Sequence, residues 1–146
     1  KVRSWGIKQG DTVVDFGCGP GSYIPIVSML VGSAGRVYAV DVHELAIEEI
    51  EKKRLTNVVP VLAASYPTEV PGDVADLVYA MDMFHMVKDT KSFLHELWRI
   101  TKPSGLLLIE SGHQPERLAF QNLNESGLWT VERETGSAFS CRPRRK

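Results

Sequence analysis

Cysteine is nearly absent from this chain, with only Cys18 and Cys141 among 146 residues. Two thiols so far apart make no disulfide framework and none of the short ligand spacings of a structural metal site, so no metal is expected. So little cysteine fits a reducing compartment, and a cytoplasmic location is expected. An excess of charge of one sign is missing too. Seventeen Lys and Arg stand against 18 Asp and Glu, for a formal net charge of −1. No overall field therefore recruits nucleic acid or a membrane surface. Only the end, Arg142-Pro143-Arg144-Arg145-Lys146, is locally basic, and its plain reading is a solvated tail. No apolar run nears the ~18 residues that a membrane span needs, and no secretory signal pattern is visible. Internal repeats and low-complexity segments are lacking as well.

What is present reads as one globular domain over residues 1–146, with an ordinary hydrophobic fraction of 43% and charged fraction of 24%. Strand-like and helix-like patterns alternate. Strands are expected over residues 12–16, 36–41, 57–62, 74–80 and 106–110, the last entered through a turn at Pro103-Ser104-Gly105. Helices are expected over 23–31, 44–54, 90–101 and 115–125. Residues 128–134 and 138–142 read as two strands joined by Thr135-Gly136-Ser137, a hairpin. Apolar strands alternating with helices imply a parallel sheet covered on both faces, here with an antiparallel addition at its end.

The most telling stretch is Thr12-Val13-Val14-Asp15-Phe16-Gly17-Cys18-Gly19-Pro20-Gly21-Ser22. A buried strand that stops at a glycine-rich turn lets bare backbone approach a ligand closely. The spacing is G-x-G-x-G. A dinucleotide fingerprint, G-x-G-x-x-G, would need its third glycine at Ser22. Ligands of open α/β sheets bind at the carboxyl ends of the strands, where strand order switches. Four such ends are chemically notable: Gly17 to Gly21; Asp41, whose carboxylate can accept both hydroxyls of a ribose, with Val42 able to pack on an adenine face; Ala63-Ala64-Ser65; and Met81-Asp82-Met83-Phe84-His85-Met86.

With those residues in view the chain resembles the class I S-adenosylmethionine-dependent methyltransferases, nearest the small-molecule branch typified by ubiquinone and menaquinone biosynthesis. Asp15-Phe16-Gly17-Cys18-Gly19-Pro20-Gly21 is similar to that family's motif I, and Asp41 matches its acidic ribose ligand. Asp76-Leu77-Val78-Tyr79 and the stretch from Leu97 to Leu106 look like its fourth strand and its passage from helix to fifth strand. The resemblance covers roughly residues 8–142 and implies a three-layer, Rossmann-like α/β sandwich with a mostly parallel seven-strand sheet and a C-terminal antiparallel hairpin. It implies S-adenosyl-L-methionine as cofactor. Gly17, Gly19 and Gly21 would pass under its methionine portion, with Cys18 in the same loop. Asp15 would anchor that loop and reach the amino group. Asp41 would hold the ribose, Val42 and His43 would border adenine, and Met81 and Asp82 would line the methionine side. Where the family often has an acid for the adenine amino group, this chain has Ala64, so Ser65 or a backbone carbonyl would serve.

Methyl transfer from a sulfonium needs proximity and alignment above all, and a base only where the acceptor must lose a proton. The base is left unassigned; His85, His113 and Asp82 are the candidates. Cys18 reads as a small packing residue, and His43 and His95 as solvated or capping. No Asn-Pro-Pro-Tyr or Asp-Pro-Pro-Tyr follows the fourth strand, which argues against methylation of adenine or glutamine nitrogens. The expected activity is methyl transfer to a small-molecule acceptor, with no nucleic-acid partner, no membrane span and a homodimer left open. The alternatives are a nicotinamide-dependent oxidoreductase, which Ser22 and the hairpin oppose, and a non-catalytic cofactor-binding domain of a larger assembly. Family members usually shape the acceptor pocket with extra helices. None is visible, so an N-terminal segment or second subunit is expected to complete it.

Overall fold

The structure is a computed structural model, and it describes residues 1–145; Lys146, at the tip of the basic end, lies outside the described residues. Its contacts group into two compact units, Lys1–Val70 and Pro71–Lys146.

In the first unit a short 3-10 turn, Val2–Trp5, precedes β1 (Thr12–Phe16), α1 (Ile24–Val31), β2 (Arg36–Asp41), α2 (Glu44–Lys52) and β3 (Val58–Leu62). Strand β2 pairs in parallel with β1 and with β3. Val13, Val14, Val37, Ala39 and Val40 are fully buried, as expected of parallel strands covered on both faces. Pro25 falls in the first turn of α1, where its missing N–H deprives no carbonyl of a partner. The other end of α1 is closed by a side chain that its own sequence does not contain. Asn57 donates to the carbonyls of Ser28 and Gly32, both at 2.9 Å, and accepts from the Ser28 hydroxyl. Helix α2 is shorter than its charge pattern suggests. Ile50 is its one fully packed residue, and Arg54 adopts the left-handed conformation (φ 52°) that stops the helix.

The second unit contains β4 (Ala75–Ala80), a 3-10 turn at Phe84–Met86, α3 (Thr90–Ile100), β5 (Thr101–Glu110), α4 (Glu116–Glu125), β6 (Trp129–Thr135) and β7 (Ala138–Pro143). Helix α3 opens on Asp89, whose carboxylate accepts from the Ser92 N–H and hydroxyl. Its inner stripe buries Phe93, Leu94, Leu97 and Ile100, and also Glu96. That acid is matched by Arg99 in a two-pronged pair, at 2.7 and 2.8 Å, which raises the Arg99 pKa.

Two expectations change here. Pro103-Ser104-Gly105 is not a turn before the fifth strand but part of it. Pairing with β4 jumps from Ala75↔Thr101 to Leu77↔Leu106, so the extra residues form a bulge inside one long strand. The basic end is not a free solvated tail. The Arg145 guanidinium lies 3.9 Å from the Trp98 ring centroid and donates to the carbonyls of Trp98 and Thr101 and to Asp73. Arg142 donates to the carbonyls of Ser104 and Gly105 and to Glu132, and Arg144 to the Thr130 hydroxyl. Such a planar, always-charged donor fork suits several carbonyls at once.

The strands form one seven-stranded mixed sheet in the order β3-β2-β1-β4-β5-β7-β6. The last two are antiparallel, with Thr135 opposite Ala138, so the hairpin turn is only Gly136-Ser137. Among the described residues no helix is long and apolar enough to cross a membrane.

Candidate functional site

Three strand ends of the first unit are tied together by one residue. The Asp41 carbonyl accepts from the N–H of Ala63, just past β3. Its Oδ2 accepts from the Gly19 N–H and its Oδ1 from the His43 N–H, both at 2.9 Å. Asp41 is only 9% exposed, so both bonds lie in a partly dry setting, where hydrogen bonds are strong. From sequence Asp41 appears only as a prospective ligand residue. The structure makes it also the residue that shapes the glycine loop.

That loop leaves β1 with the Gly17 and Cys18 N–H groups both donating to the Val40 carbonyl, at 2.7 and 2.9 Å. It then turns through positive φ at Gly17, Gly19 and Gly21. The last two of these glycines do different work. A Cβ on Gly21 would strike the side chains of Ile50 and Lys53 on the α2 side, whereas a Cβ on Gly19 would meet nothing within 4 Å. Gly21 thus serves internal packing, and Gly19 presents bare backbone to open space. Asp15, at the loop's root, is 3% exposed.

Cys18 lies within this loop and is buried. Burial first, then the nearby charges of Asp15 and Asp41, push its thiol far up from the ordinary 9.0. Burial, with Glu132 second, pushes Cys141 up to about 12. Neither is a thiolate near neutrality. A chromogenic disulfide reagent at pH 8 is therefore expected to label neither cysteine in the native protein and both after denaturation; rapid native labelling of Cys18 would disprove the burial. The unfolded chain gives up these protons from about pH 9 while the folded chain keeps them. Stability thus falls as pH climbs from that value toward about 12.

Around the loop, Val42 is 62% exposed and Leu62 and Tyr66 are 43% and 41% exposed, apolar groups at the carboxyl ends of β2 and β3. Ala64 and Ser65 are exposed beside them. His43 occupies the N-cap position of α2 but its side chain caps nothing.

The remaining candidates belong to the second unit. Met81 is half-buried and Asp82 exposed, just past β4, with Asp82 at φ 53°. The structure brings Asp82, His85 and His113 together, although His113 lies beyond β5 in the sequence. Ring centroids of the two histidines are 4.7 Å apart, edge to face, and His113 Nε2 is 3.9 Å from Asp82 Oδ1. The expectation of no metal rests on cysteine spacing, which does not bear on these three residues. One ligand atom from each of the three lies within 4.8 Å of the others. Sequence spacing cannot show this, because the sheet and not the chain supplies the proximity. His95 is elsewhere, exposed on α3 with its ring 5.7 Å from Trp98.

Comparison with known proteins places these features in context. A family described as Methyltransferase domain matches residues 14–109. A crystal structure of a SAM-dependent methyltransferase from Aquifex aeolicus is 30% identical, with a TM-score of 0.81 over 97% of this chain and 86% of that one. The 2-phytyl-1,4-naphtoquinone methyltransferase of Trichormus variabilis is 29% identical over 137 residues, 85% of this chain and 56% of that protein. The tRNA (adenine(58)-N(1))-methyltransferase catalytic subunit TRM61 of Yarrowia lipolytica is 43% identical over a shorter stretch of 63 residues, 40% of this chain and 16% of that protein. The chain thus spans between about a sixth and a little over half the length of these two curated relatives.

Proposed function

From the premise that the chain belongs to the methyltransferase domain family of S-adenosylmethionine-dependent proteins, we propose that it transfers the methyl group of S-adenosylmethionine to a small-molecule acceptor. The observation that carries the reading is the glycine loop held open by Asp41, with Gly19 facing unfilled space. Loop backbone around Gly17, Cys18, Gly19 and Gly21, anchored by Asp15, takes the methionine portion of the cofactor. Asp41 keeps lone pairs for the ribose hydroxyls beside its two backbone bonds, since a carboxylate offers about four acceptor sites. Val42 takes one adenine face, and Ala64 and Ser65 border its edge.

The reaction is an in-line displacement. A lone pair of the acceptor attacks the methyl carbon as the carbon–sulfur bond breaks, its electrons remain on sulfur, and S-adenosylhomocysteine leaves. Any proton the acceptor must lose goes to a base, for which Asp82, His85 and His113 are proposed. A quinol-like or other small hydroxylated ring is the acceptor class suggested by the relative from Trichormus variabilis. A small acceptor is favoured over nucleic acid because the net charge is −1 and Arg142, Arg144 and Arg145 are engaged by the protein itself. Neither the family nor the relatives support a nicotinamide-dependent oxidoreductase.

S-adenosylhomocysteine is expected to raise the melting temperature with its concentration, as a ligand selective for the native state must, the gain in unfolding free energy reaching ~2.7 kcal/mol at a hundred times its dissociation constant. NAD should do nothing. Stabilisation by NAD alone would overturn the assignment. A panel of quinol, phenol, amine and thiol acceptors then tests turnover, and no methylated product from any of them would leave a cofactor-binding domain without catalysis.

A further inference from the structure

The three residues proposed as candidates for the base also form a group of ligating atoms, which accepting one proton does not by itself require. One ring nitrogen each of His85 and His113 and one carboxylate oxygen of Asp82 lie within 4.8 Å of one another. Their present contacts do not account for the arrangement. At 3.9 Å, His113 Nε2 and Asp82 Oδ1 are too far apart for a hydrogen bond. His85 Nδ1 is buried with no hydrogen-bond partner, and a buried polar atom in that state points to an absent ion or water. The backbone nevertheless holds the group in place. Asp82 adopts φ 53°, which a side chain rarely adopts, and Gly112 adopts φ 68°. The His85 ring rests on Gly112 so closely that a Cβ there would run into its Nδ1, Cε1 and Cγ. A left-handed acid after β4 is the kind of backbone outlier that gathers at ligand sites, and the glycine after β5 makes room for the His85 ring.

We propose that Asp82, His85 and His113 bind a divalent first-row transition-metal ion. Two imidazoles and one carboxylate suit Zn2+, Fe2+ or Mn2+, whereas Mg2+ and Ca2+ take oxygen ligands. Bonds of ~2.0–2.2 Å in tetrahedral geometry place ligand atoms about 3.4 Å apart. Asp82 and His113 then need to draw together by only about half an ångström, and their side chains are 70% and 82% exposed and free to do so. The same exposure leaves coordination positions open to water or to an oxygen of a bound molecule, as in catalytic rather than structural sites. The ion would neutralise Asp82 and bind both rings in one orientation. The site shares its residues with the base proposed for methyl transfer, but its test is separate from that reading, because metal binding is measured directly and without cofactor.

The test is calorimetric titration of the tag-free chain with ZnCl2 in a non-chelating buffer, followed by CoCl2 titration read by visible absorbance. Saturable binding of one Zn2+ per chain is expected, with ligand-field bands for Co2+ and no heat from MgCl2. His113→Ala and Asp82→Asn, both at exposed positions, should each weaken Zn2+ binding by at least about tenfold with unchanged circular dichroism. Gly112→Ala, which removes no ligand but displaces the His85 ring, should weaken it too. No saturable Zn2+ binding, or equal affinity in the wild type and in both ligand variants, overturns the proposal. Equal affinity in Gly112→Ala alone overturns the role given to that glycine.

Discussion

Gly19→Val should abolish detectable S-adenosylhomocysteine binding, a loss of at least about a hundredfold or ~2.7 kcal/mol, while far-UV circular dichroism keeps its helix and strand content. Two separate facts lead to this. A Cβ at position 19 meets nothing within 4 Å of protein, so the fold has room for the side chain; the space it takes is the space proposed for the cofactor. Position 19 also has φ +54°, which costs a residue with a side chain about 1–2 kcal/mol, so the melting temperature should drop modestly. Gly21→Val, by contrast, should damage folding itself, since its Cβ would collide with Ile50 and Lys53. Tight binding by a folded Gly19→Val variant would show that the loop is a turn and not a cradle.

Asp41→Ala should lose on two counts. Sequence alone suggests a ligand residue at a strand end whose removal spares the fold and weakens cofactor binding by roughly 1–3 kcal/mol. The structure adds a second effect. Without the carboxylate the Gly19 and His43 N–H groups lose their acceptor at a site only 9% exposed. Each such orphaned donor costs about 1–3 kcal/mol where water cannot replace the bond. Urea denaturation should therefore show a lower midpoint alongside a raised dissociation constant. Asp41→Asn separates the contributions. Its amide oxygen can serve one of the two N–H groups while its NH2 opposes the other, so stability should fall to an intermediate value. Wild-type midpoint and wild-type affinity in Asp41→Ala would remove the residue from both roles.

Much of this protein was legible in one dimension because its signals are local. The runs Thr12–Phe16 and Ala75–Ala80 read as strands locally, since mostly apolar stretches rich in β-branched, aliphatic and aromatic residues suit a strand covered on both faces. Alternating glycines fix a turn by their own φ freedom, and Thr135-Gly136-Ser137 marks a hairpin, whose turn pairing narrows to Gly136-Ser137. Helix ends were less legible, because α1 is closed by Asn57, a residue from the far side of β2.

Only the tertiary structure decided the rest, and always for the same reason: the partner is distant in the chain. Residues 103–105 look like a turn from their proline and glycine, yet pairing with β4 absorbs them as a bulge. The basic end looks solvated from its charge, yet Trp98 and the carbonyls around Thr101 hold Arg145. The difference between Gly19 and Gly21 is invisible in a repeat of identical letters and is set by where Ile50 falls. His113 joins Asp82 and His85 because the β5 strand ends near them, and no spacing rule foretells it. Composition and periodicity thus determined which elements form and where a glycine-rich loop lies; the sheet's pairing decided which side chains come together.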